Sequence, residues 1–174
     1  MTINSALYSS RSEEWPTPQK FFDALDQEFG FTLDPCATRG NAKCRNFFTK
    51  RDDGLLQDWG RHIVFCNPPY GRDVIRWAGK CYSSANSGAT VVLLAHARTD
   101  TRWFHDFVLG KAELRFVRGR LKFADGKQSA PFPSLIAVYR PLTERDDYHP
   151  LALELVHCNE RSGQTYSAKP RSDW

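Results

Sequence analysis

Apolar residues follow two kinds of spacing along this chain, and the two kinds alternate. A helical spacing of large apolar side chains begins after Thr17 and Pro18 and ends before Gly30. Thr17 suits a helix N-cap, Pro18 suits the first helical position, and Gly30 suits the residue after the last turn. The pattern therefore predicts a helix between these residues. Its apolar face consists of Phe21, Phe22, Leu25 and Phe29.

Short apolar runs bounded by turn residues predict the strands. They lie at 31–33, 46–49, 62–66, 90–95, 112–117, 120–123 and 135–140. Helical spacings return at 73–84, from a cap at Asp100 or Thr101 to Gly110, and near 150–157. A turn signal at 124–127 predicts a hairpin. Because strands alternate with helices, we expect an α/β domain whose mainly parallel sheet has helices on both faces.

The chain divides into one predicted domain and two flanking segments. Residues 1–14 are polar and rich in serine, so we expect a flexible lead. Residues 15–145 carry the strong periodicity and form the predicted folded domain. After Pro141 the sequence becomes charged, and residues 146–174 are predicted to be a C-terminal extension and tail.

Composition places the chain among globular proteins. Of its 174 residues, 41% are hydrophobic and 13% aromatic, which is enough for a buried core. No apolar run approaches the ~18 residues that a membrane span needs, and the first residues lack the pattern of a signal peptide. We therefore expect a cytoplasmic protein with no membrane partner. The net charge of +4 permits a nucleic-acid partner without requiring one.

The five cysteines have neither an even count nor the close pairs of a structural zinc site. They are Cys36, Cys44, Cys66, Cys81 and Cys158. We expect reduced, mostly buried thiols and no metal centre.

Two sharp motifs directly follow predicted strands. Asp34 to Ala37 follows the strand at 31–33, and Asn67 to Tyr70 follows the strand at 62–66. Ligands of open α/β sheets bind beyond the carboxyl ends of the strands. The two motifs are therefore the first candidates for a ligand site.

The motif Asn67, Pro68, Pro69 and Tyr70 suits methyl transfer to an exocyclic amine such as N6 of adenine. Such an amine is a poor nucleophile because its lone pair is delocalised into the ring, and it needs acceptors for its hydrogens. The Asn67 side-chain oxygen is one acceptor, and the Pro68 carbonyl, stiffened by two consecutive prolines, is the second. Tyr70 offers a flat face for an extruded base. An ordinary strand-ending turn is the alternative, but the preceding buried strand and Tyr70 favour a site.

Taken in order, these and other motifs resemble the phage-type DNA N6-adenine methyltransferases, a small Dam-like family. The resemblance covers about residues 13–140. In its first half the matching pieces are Glu14 to Pro18, Leu33 to Ala37, Asn41 to Cys44, Asp53 to Leu55, Asp58-Trp59 and Cys66 to Gly71. In its second half they are Ala97 to Thr101, Trp103-Phe104, Arg118 to Phe123 and Ala130 to Ser134.

The resemblance implies a Rossmann-like class I methyltransferase fold, with a mainly parallel twisted sheet and an antiparallel final strand. It also implies an adenine-specific DNA methyltransferase, with S-adenosyl-L-methionine as the methyl donor and DNA as the substrate. If a phage or prophage encodes the chain, the expected location is the host-cell cytoplasm.

The same resemblance implies which residues would bind the donor. They are Trp15, Thr17, Pro18, Asp34, Pro35, Cys36, Ala37, Asp53 and Asn67. Asp52 competes with Asp53 for the role of acidic contact, and Asp34 has the ordinary alternative of a turn or capping aspartate. The chain departs from the broader methyltransferase pattern because the glycine-rich loop after the first strand is absent. The stretch from Asp34 to Asn67 is also short, which predicts that one helix is lost or reduced to a turn.

Candidates for contact with DNA lie mostly in the second half. They are Tyr70, Arg98, Arg118, Arg120, Lys122 and Phe132. Alternating basic residues from Arg115 to Lys122 would meet phosphates, although a solvated basic hairpin has the same pattern. Arg98 follows a strand and has Asp100 or Asp106 as alternative partners. The resemblance suggests Phe132 as a second wall for the base beside Tyr70, and a core phenylalanine is the alternative.

Two other classes of function remain open at this point. The same acceptors would suit a methyltransferase that acts on RNA adenine, on cytosine N4 or on a protein glutamine. A catalytically inactive DNA-binding relative is the second class, and the intact motif at residues 67–70 argues against it.

Overall fold

The computed structural model describes residues 15–123, 128–144 and 153–157. Its strands are β1 (Leu33–Asp34), β2 (Asn46–Phe47), β3 (Ile63–Cys66), β4 (Thr90–His96), β5 (Glu113–Arg118), β6 (Lys122–Phe123), β7 (Gln128–Ser129), β8 (Ser134–Tyr139) and β9 (Leu153–His157). Its helices are α1 (Gln19–Phe29), α2 (Val74–Asn86) and α3 (Arg102–Phe107), with a 3₁₀ turn at Leu142–Glu144.

Seven strands form one sheet in the order β2-β1-β3-β4-β8-β5-β9. Strands β1, β2, β3 and β4 pair in parallel, and β8 lies antiparallel to both β4 and β5. The mainly parallel α/β sheet is confirmed. The strand predicted at 135–140 is antiparallel, as expected of the final strand, but the last described strand is β9, which pairs in parallel with β5. The remaining two strands, β6 and β7, form a separate antiparallel hairpin. The turn signal at 124–127, which predicted this hairpin, lies outside the described residues.

Helices cover both faces of the sheet, as predicted. Side chains alternate along each strand, so Val92 and Leu94 of β4 pack with α1, whereas Val91 and Leu93 pack with α2 and α3. The aromatic side chains of α1 meet Phe65 of β3, with the Phe22 and Phe65 ring centroids 5.1 Å apart. The alternation therefore makes two apolar cores, one on each face of the sheet. The edge formed by the carboxyl ends of the strands lies between these cores.

The start of the first helix differs from the prediction. The helix begins at Gln19 with Pro18 as its N-cap residue, and the Pro18 carbonyl accepts hydrogen bonds from the N–H groups of Phe21 and Phe22 at 3.1 Å each. Thr17 does not cap it, because its hydroxyl serves a residue fifty positions away. The predicted end is confirmed: Gly30 has φ 68°, a left-handed conformation that glycine adopts without strain.

Two other predicted elements are wrong in part. The segment near 150–157, predicted as a short helix, contains β9, which pairs in parallel with β5. Its apolar spacing fits either element, and the open edge of β5 decides in favour of a strand. The helix predicted to reach Gly110 ends at Phe107, with Val108 as its C-cap residue.

The stretch between β1 and β3 contains turns and the short strand β2 but no helix, and all of its residues are described. The predicted loss of a helix is therefore confirmed. The N–H of Phe48 donates to the carbonyl of Asp34 at 3.0 Å, and the N–H of Ala37 donates to the carbonyl of Phe48 at 3.0 Å. These bonds hold the loop after β1 against β2 in place of a helix.

Two further findings bear on the compositional expectations. Within the described ranges, no helix is long and apolar enough to cross a membrane. The four cysteines in those ranges are free thiols, with Cys66 and Cys81 buried and Cys36 and Cys44 partly buried.

Candidate active site

A cavity of about 640 Å³ opens at the carboxyl ends of β1 and β3. Its size falls within the range of small-molecule sites. Residues that the sequence nominated line much of it, namely Trp15, Thr17, Asp34, Pro35, Cys36, Ala37, Asp53, Asn67, Pro68 and Pro69. Pro18 and Tyr70, which were also nominated, do not line it. The two motifs that follow separate strands therefore share one cavity.

The loop after β1 is organised around the Asp34 carboxylate. That carboxylate accepts hydrogen bonds from the N–H groups of Cys36, at 3.4 Å, and Lys43, at 3.1 Å. Burial raises the pKa of Asp34, and these two hydrogen bonds with the nearby Lys43 charge oppose the rise. Asp34 thus shapes the turn and also presents an acidic side chain to the cavity.

The opposite wall is the turn at Asp53, Gly54 and Leu55, where Asp53 takes a left-handed φ of 51°. Its carboxylate accepts a hydrogen bond from the Leu55 N–H at 3.2 Å. Asp53 lines the cavity, while the competing candidate Asp52 is exposed and accepts bonds from the Thr49 N–H and hydroxyl at 2.8 and 2.7 Å. The geometry therefore favours Asp53 over Asp52 as the acidic residue that would contact a ligand in the cavity.

Gly54 allows the two walls to approach closely. A Cβ atom built at Gly54 would lie 1.9 Å from the Pro35 carbonyl oxygen and 3.3 Å from the Trp77 ring. The Gly54 carbonyl is in turn fixed by the buried indole N–H of Trp59, at 2.9 Å. Only glycine fits at this contact.

The Asn67 amide is held in one orientation. Its Nδ2 group donates to the Trp15 carbonyl at 2.7 Å and to the Thr17 hydroxyl at 2.9 Å. Because the Trp15 partner is a carbonyl, which only accepts, the nitrogen must face it. The Asn67 Oδ1 atom is consequently turned the other way, buried and without a hydrogen-bond partner among the described residues.

The two prolines that follow continue the strand as a tight turn. The Gly71 N–H donates to the Pro69 carbonyl at 3.1 Å, so the turn closes on Pro69 and not on Pro68. The Tyr70 hydroxyl donates to the Leu94 carbonyl at 3.4 Å. Burial raises the pKa of this hydroxyl, which keeps it protonated, while the ring is half-buried.

Aromatic rings surround Tyr70. Its centroid is 5.2 Å from that of Phe132 and 5.4 Å from that of His96, with edge-to-face geometry in both pairs. Phe132 also contacts Trp15, at 5.7 Å, and His96, at 5.9 Å. Phe132 therefore lies beside Tyr70. Its ring also lies between Trp15, whose carbonyl binds the Asn67 amide, and His96 at the end of β4.

The basic candidates divide into exposed and buried residues. Arg98, Arg118, Arg120 and Lys122 are exposed. Arg115 is buried, and it forms ion pairs with Glu28 at 2.7 Å and with Glu113. The expectation that Arg115 shares a phosphate-binding face with the others is therefore wrong. Asp106, one alternative partner of Arg98, is paired with Arg102 at 2.9 Å.

Several residues of the site carried no signal strong enough for a specific role. Gly54 lay in a matching motif, but its close approach to Pro35 depends on the tertiary fold. The charged side chains of Lys43, Lys50 and Arg76 line the cavity, and so does Trp77. His96 lay one position beyond a predicted strand, and Ser134 closed a matching motif, but neither was given a role. Among the described residues, no cluster of three potential metal ligands occurs.

Comparison with known proteins agrees with the family resemblance seen in the sequence. Residues 4–165 match the family model described as DNA N-6-adenine-methyltransferase (Dam). The chain is 27% identical over 149 residues to the DNA N-6-adenine-methyltransferase of Haemophilus phage HP1, a match that covers 81% of this chain and 86% of that protein. It is also 35% identical over 65 residues to the putative methyltransferase YfdM of Escherichia coli K12, covering 33% of this chain and 71% of that protein.

Proposed function

This chain belongs to the DNA N-6-adenine-methyltransferase (Dam) family, and from that premise we propose that it transfers a methyl group from S-adenosylmethionine to N6 of adenine in DNA. Membership makes it a methyltransferase of the DNA adenine type. The donor, the substrate and the residue roles are our proposal.

The observation that carries the proposal is the orientation of Asn67. Its amide nitrogen is committed to Trp15 and Thr17, and its Oδ1 atom is buried without a partner among the described residues. A buried hydrogen-bond acceptor without a partner is costly in free energy, so it points to an N–H or O–H group that arrives with the substrate. An adenine amine supplies such an N–H group.

The chemical role of Asn67 follows from this geometry. When Oδ1 accepts one amine hydrogen and the Pro68 carbonyl accepts the other, the nitrogen lone pair is drawn out of the ring and becomes more nucleophilic. The acceptors are fixed before the substrate binds, so little reorganisation is needed in the transition state. As the N–C bond forms, the S–CH3 bond of the sulfonium would break with its electron pair kept on sulfur, which leaves a neutral thioether. The methylated amine would then lose its extra proton to solvent, so no strong base is required.

The residues that line the cavity match the chemistry of the proposed methyl donor. S-adenosylmethionine supplies an electrophilic methyl group on a cationic sulfonium, and it also carries an ammonium and a carboxylate. Asp34 and Asp53 would bind its polar and cationic groups, and Lys43 or Lys50 suits its carboxylate. The rest of the wall would come from Trp15, Thr17, Pro35, Cys36 and Ala37. Pro18 does not line the cavity, and its part would be to start α1 as the N-cap residue.

The sheet order supports assignment to the Rossmann-like class I methyltransferase fold. Strands β1 to β4 run in parallel, and one antiparallel strand lies between β4 and β5. The cavity lies at the carboxyl ends of β1 and β3, where ligands bind in open α/β sheets.

We assign the binding of DNA to the side of the cavity where Tyr70 lies. Tyr70 and Phe132 would contact the extruded adenine, since base extrusion is needed to reach N6 inside a duplex. The exposed Arg98, Arg118 and Lys122 would meet phosphates, with Arg120 in the same exposed segment.

The proposal is tested by offering the purified chain labelled S-adenosylmethionine with DNA, RNA and protein side by side. We expect label in DNA alone and N6-methyladenine after digestion of that DNA to nucleosides. Label in RNA or protein, or N4-methylcytosine in the digest, would replace the substrate that we assign. Absence of both transfer and donor binding would support an inactive relative.

Thr17 is expected to position Asn67, and Thr17→Val tests this role. Valine keeps the shape of the side chain but removes the hydroxyl that Asn67 Nδ2 contacts at 2.9 Å. We expect kcat to fall about tenfold, because one of two bonds that orient the amide is lost, with a smaller change in KM for DNA. Thr17→Ser keeps the hydroxyl and should retain near-normal kcat. Equal kcat values for the valine and serine variants would contradict the positioning role.

A further inference from the structure

Two more buried polar groups lie beside the proposed base site. His96 is 9% exposed and Ser134 is 1% exposed. The Nδ1 atom of His96 and the Oγ atom of Ser134 are both buried without a hydrogen-bond partner among the described residues. Neither group takes part in the transfer step described above.

The strand register brings the two side chains together. His96 ends β4, Ser134 begins β8, and the two residues are directly opposite each other in the antiparallel pairing. Directly opposite residues place their side chains on the same face of the sheet. Alternation from Leu94 and Ile136, which pack with α1, directs both side chains toward the α1 face. At the end of β4 the His96 ring also contacts Trp103 of α3, with the ring centroids 5.4 Å apart. Asn67 is held by Trp15 and Thr17, which immediately precede that helix.

Ring contacts connect this pair to the proposed base site. The His96 ring is 5.4 Å from Tyr70 and 5.9 Å from Phe132, measured between centroids. These are the two aromatic residues assigned to the extruded base. His96 is therefore adjacent to the rings that would contact the base, and Ser134 is its partner in the pairing of β4 with β8.

We propose that His96 and Ser134 hydrogen-bond the ring nitrogens of the extruded adenine, so that the site recognises the purine ring as well as its amine. This inference rests on the proposed function. It assigns to this pair a role in base specificity, whereas Asn67 and Pro68 act on the amine.

The chemistry of the two groups suits an adenine ring. The N1, N3 and N7 atoms of adenine all accept hydrogen bonds, so complementary groups must donate. The Ser134 hydroxyl is a donor, and a neutral histidine has one ring N–H to donate. Burial, with the nearby Arg98 charge, lowers the pKa of His96 to about 4, which keeps the ring neutral near pH 7. Satisfying two buried polar atoms only when adenine is bound favours adenine over a base without matching acceptors.

The test measures dissociation constants for duplexes in which the target adenine is replaced by 1-deaza-, 3-deaza- or 7-deazaadenine. Each analogue lacks one ring acceptor. The target is placed opposite an abasic site, so that altered pairing does not contribute. S-adenosylhomocysteine replaces the donor, because equilibrium binding is then independent of the altered reactivity of the amine.

For the unmodified chain, we expect at least one analogue to bind roughly tenfold more weakly than adenine, the effect of one lost hydrogen bond in a dry site. Ser134→Ala or His96→Phe should bind adenine more weakly and should no longer discriminate against that analogue. Phenylalanine keeps the ring contacts of His96. Ser84→Ala is the matched control, because it removes a buried serine hydroxyl from α2 on the other face of the sheet.

Affinities within about twofold for adenine and all three analogues would overturn the inference. An undiminished penalty in both variants would also overturn it, since another group would then contact the ring nitrogen. If neither variant folds, the dissociation constants of the unmodified chain still show whether any analogue binds more weakly than adenine. Failure of the proposed function has a separate signature, namely no methyl transfer to the ordinary adenine duplex.

Discussion

Replacing Asn67 with alanine is expected to lower the single-turnover rate of methyl transfer by a factor on the order of a thousand, the upper range for loss of one preorganised group in a transition state. The variant removes the buried Oδ1 acceptor. It also removes the two hydrogen bonds that Asn67 Nδ2 gives to Trp15 and Thr17. Both residues line the cavity that we propose for the donor, so we expect donor affinity to fall as well, but by no more than about tenfold.

Rapid-quench measurement with labelled donor gives the rate, and calorimetry gives the donor affinity. Asn86→Ala is the matched control, because it makes the same change at an exposed site in the last turn of α2. It should leave both quantities unchanged. A rate for Asn67→Ala within tenfold of the unmodified chain would exclude Oδ1 as the acceptor on which the mechanism depends.

Gly54→Ala is expected to lower the free energy of unfolding by about 3 kcal/mol, at the upper end of typical overpacking costs. The new Cβ would lie 1.9 Å from the Pro35 carbonyl oxygen, a backbone atom of the loop after β1. Relief of this contact requires that the loop or the turn at 53–55 move, and both line the cavity that we propose for the donor. Donor affinity should therefore fall together with stability.

Chemical and thermal unfolding measure this effect, with an expected decrease in Tm of roughly 6–12 °C for a domain of this size. Gly40→Ala is the matched control in the neighbouring turn, where a Cβ would meet only the Thr38 hydroxyl oxygen at 4.0 Å. Comparable stability of the two variants would show that the walls separate without cost, and the close contact would then not be a structural requirement.

The Gly54 contact also explains how the cavity forms without a glycine-rich loop after β1. In this chain the close approach of backbone to backbone occurs between Gly54 and Pro35. The loop after β1 is fixed by the Asp34 carboxylate, which accepts hydrogen bonds from Cys36 and Lys43. One glycine on the opposite wall and one buried carboxylate thus replace a run of glycines.

Local pattern was sufficient to predict most of the fold. Buried apolar runs identified β3 and β4, and the spacing of Phe21, Phe22 and Leu25 identified α1, because these signals reflect which face of an element meets the core. The motif at 67–70 was recognisable for a similar reason. Its residue types and its place after a buried strand lie within a few positions of each other.

Contacts between distant residues were decided by tertiary structure alone. Asn67 is oriented by groups 50 and 52 positions earlier, and Arg115 is buried by a partner 87 positions away, so a basic residue that seemed available for DNA is internal. The strand β9 formed where spacing fitted a helix, because β5 offered an open edge. His96 and Ser134 meet only through the pairing of β4 with β8. The sequence by itself determined most of the elements, the family resemblance and the motif at 67–70, since these depend on neighbouring residues. Only the folded chain determined which of the described polar atoms are paired and which are buried without a partner, since hydrogen-bond partners come from segments that are distant in the sequence.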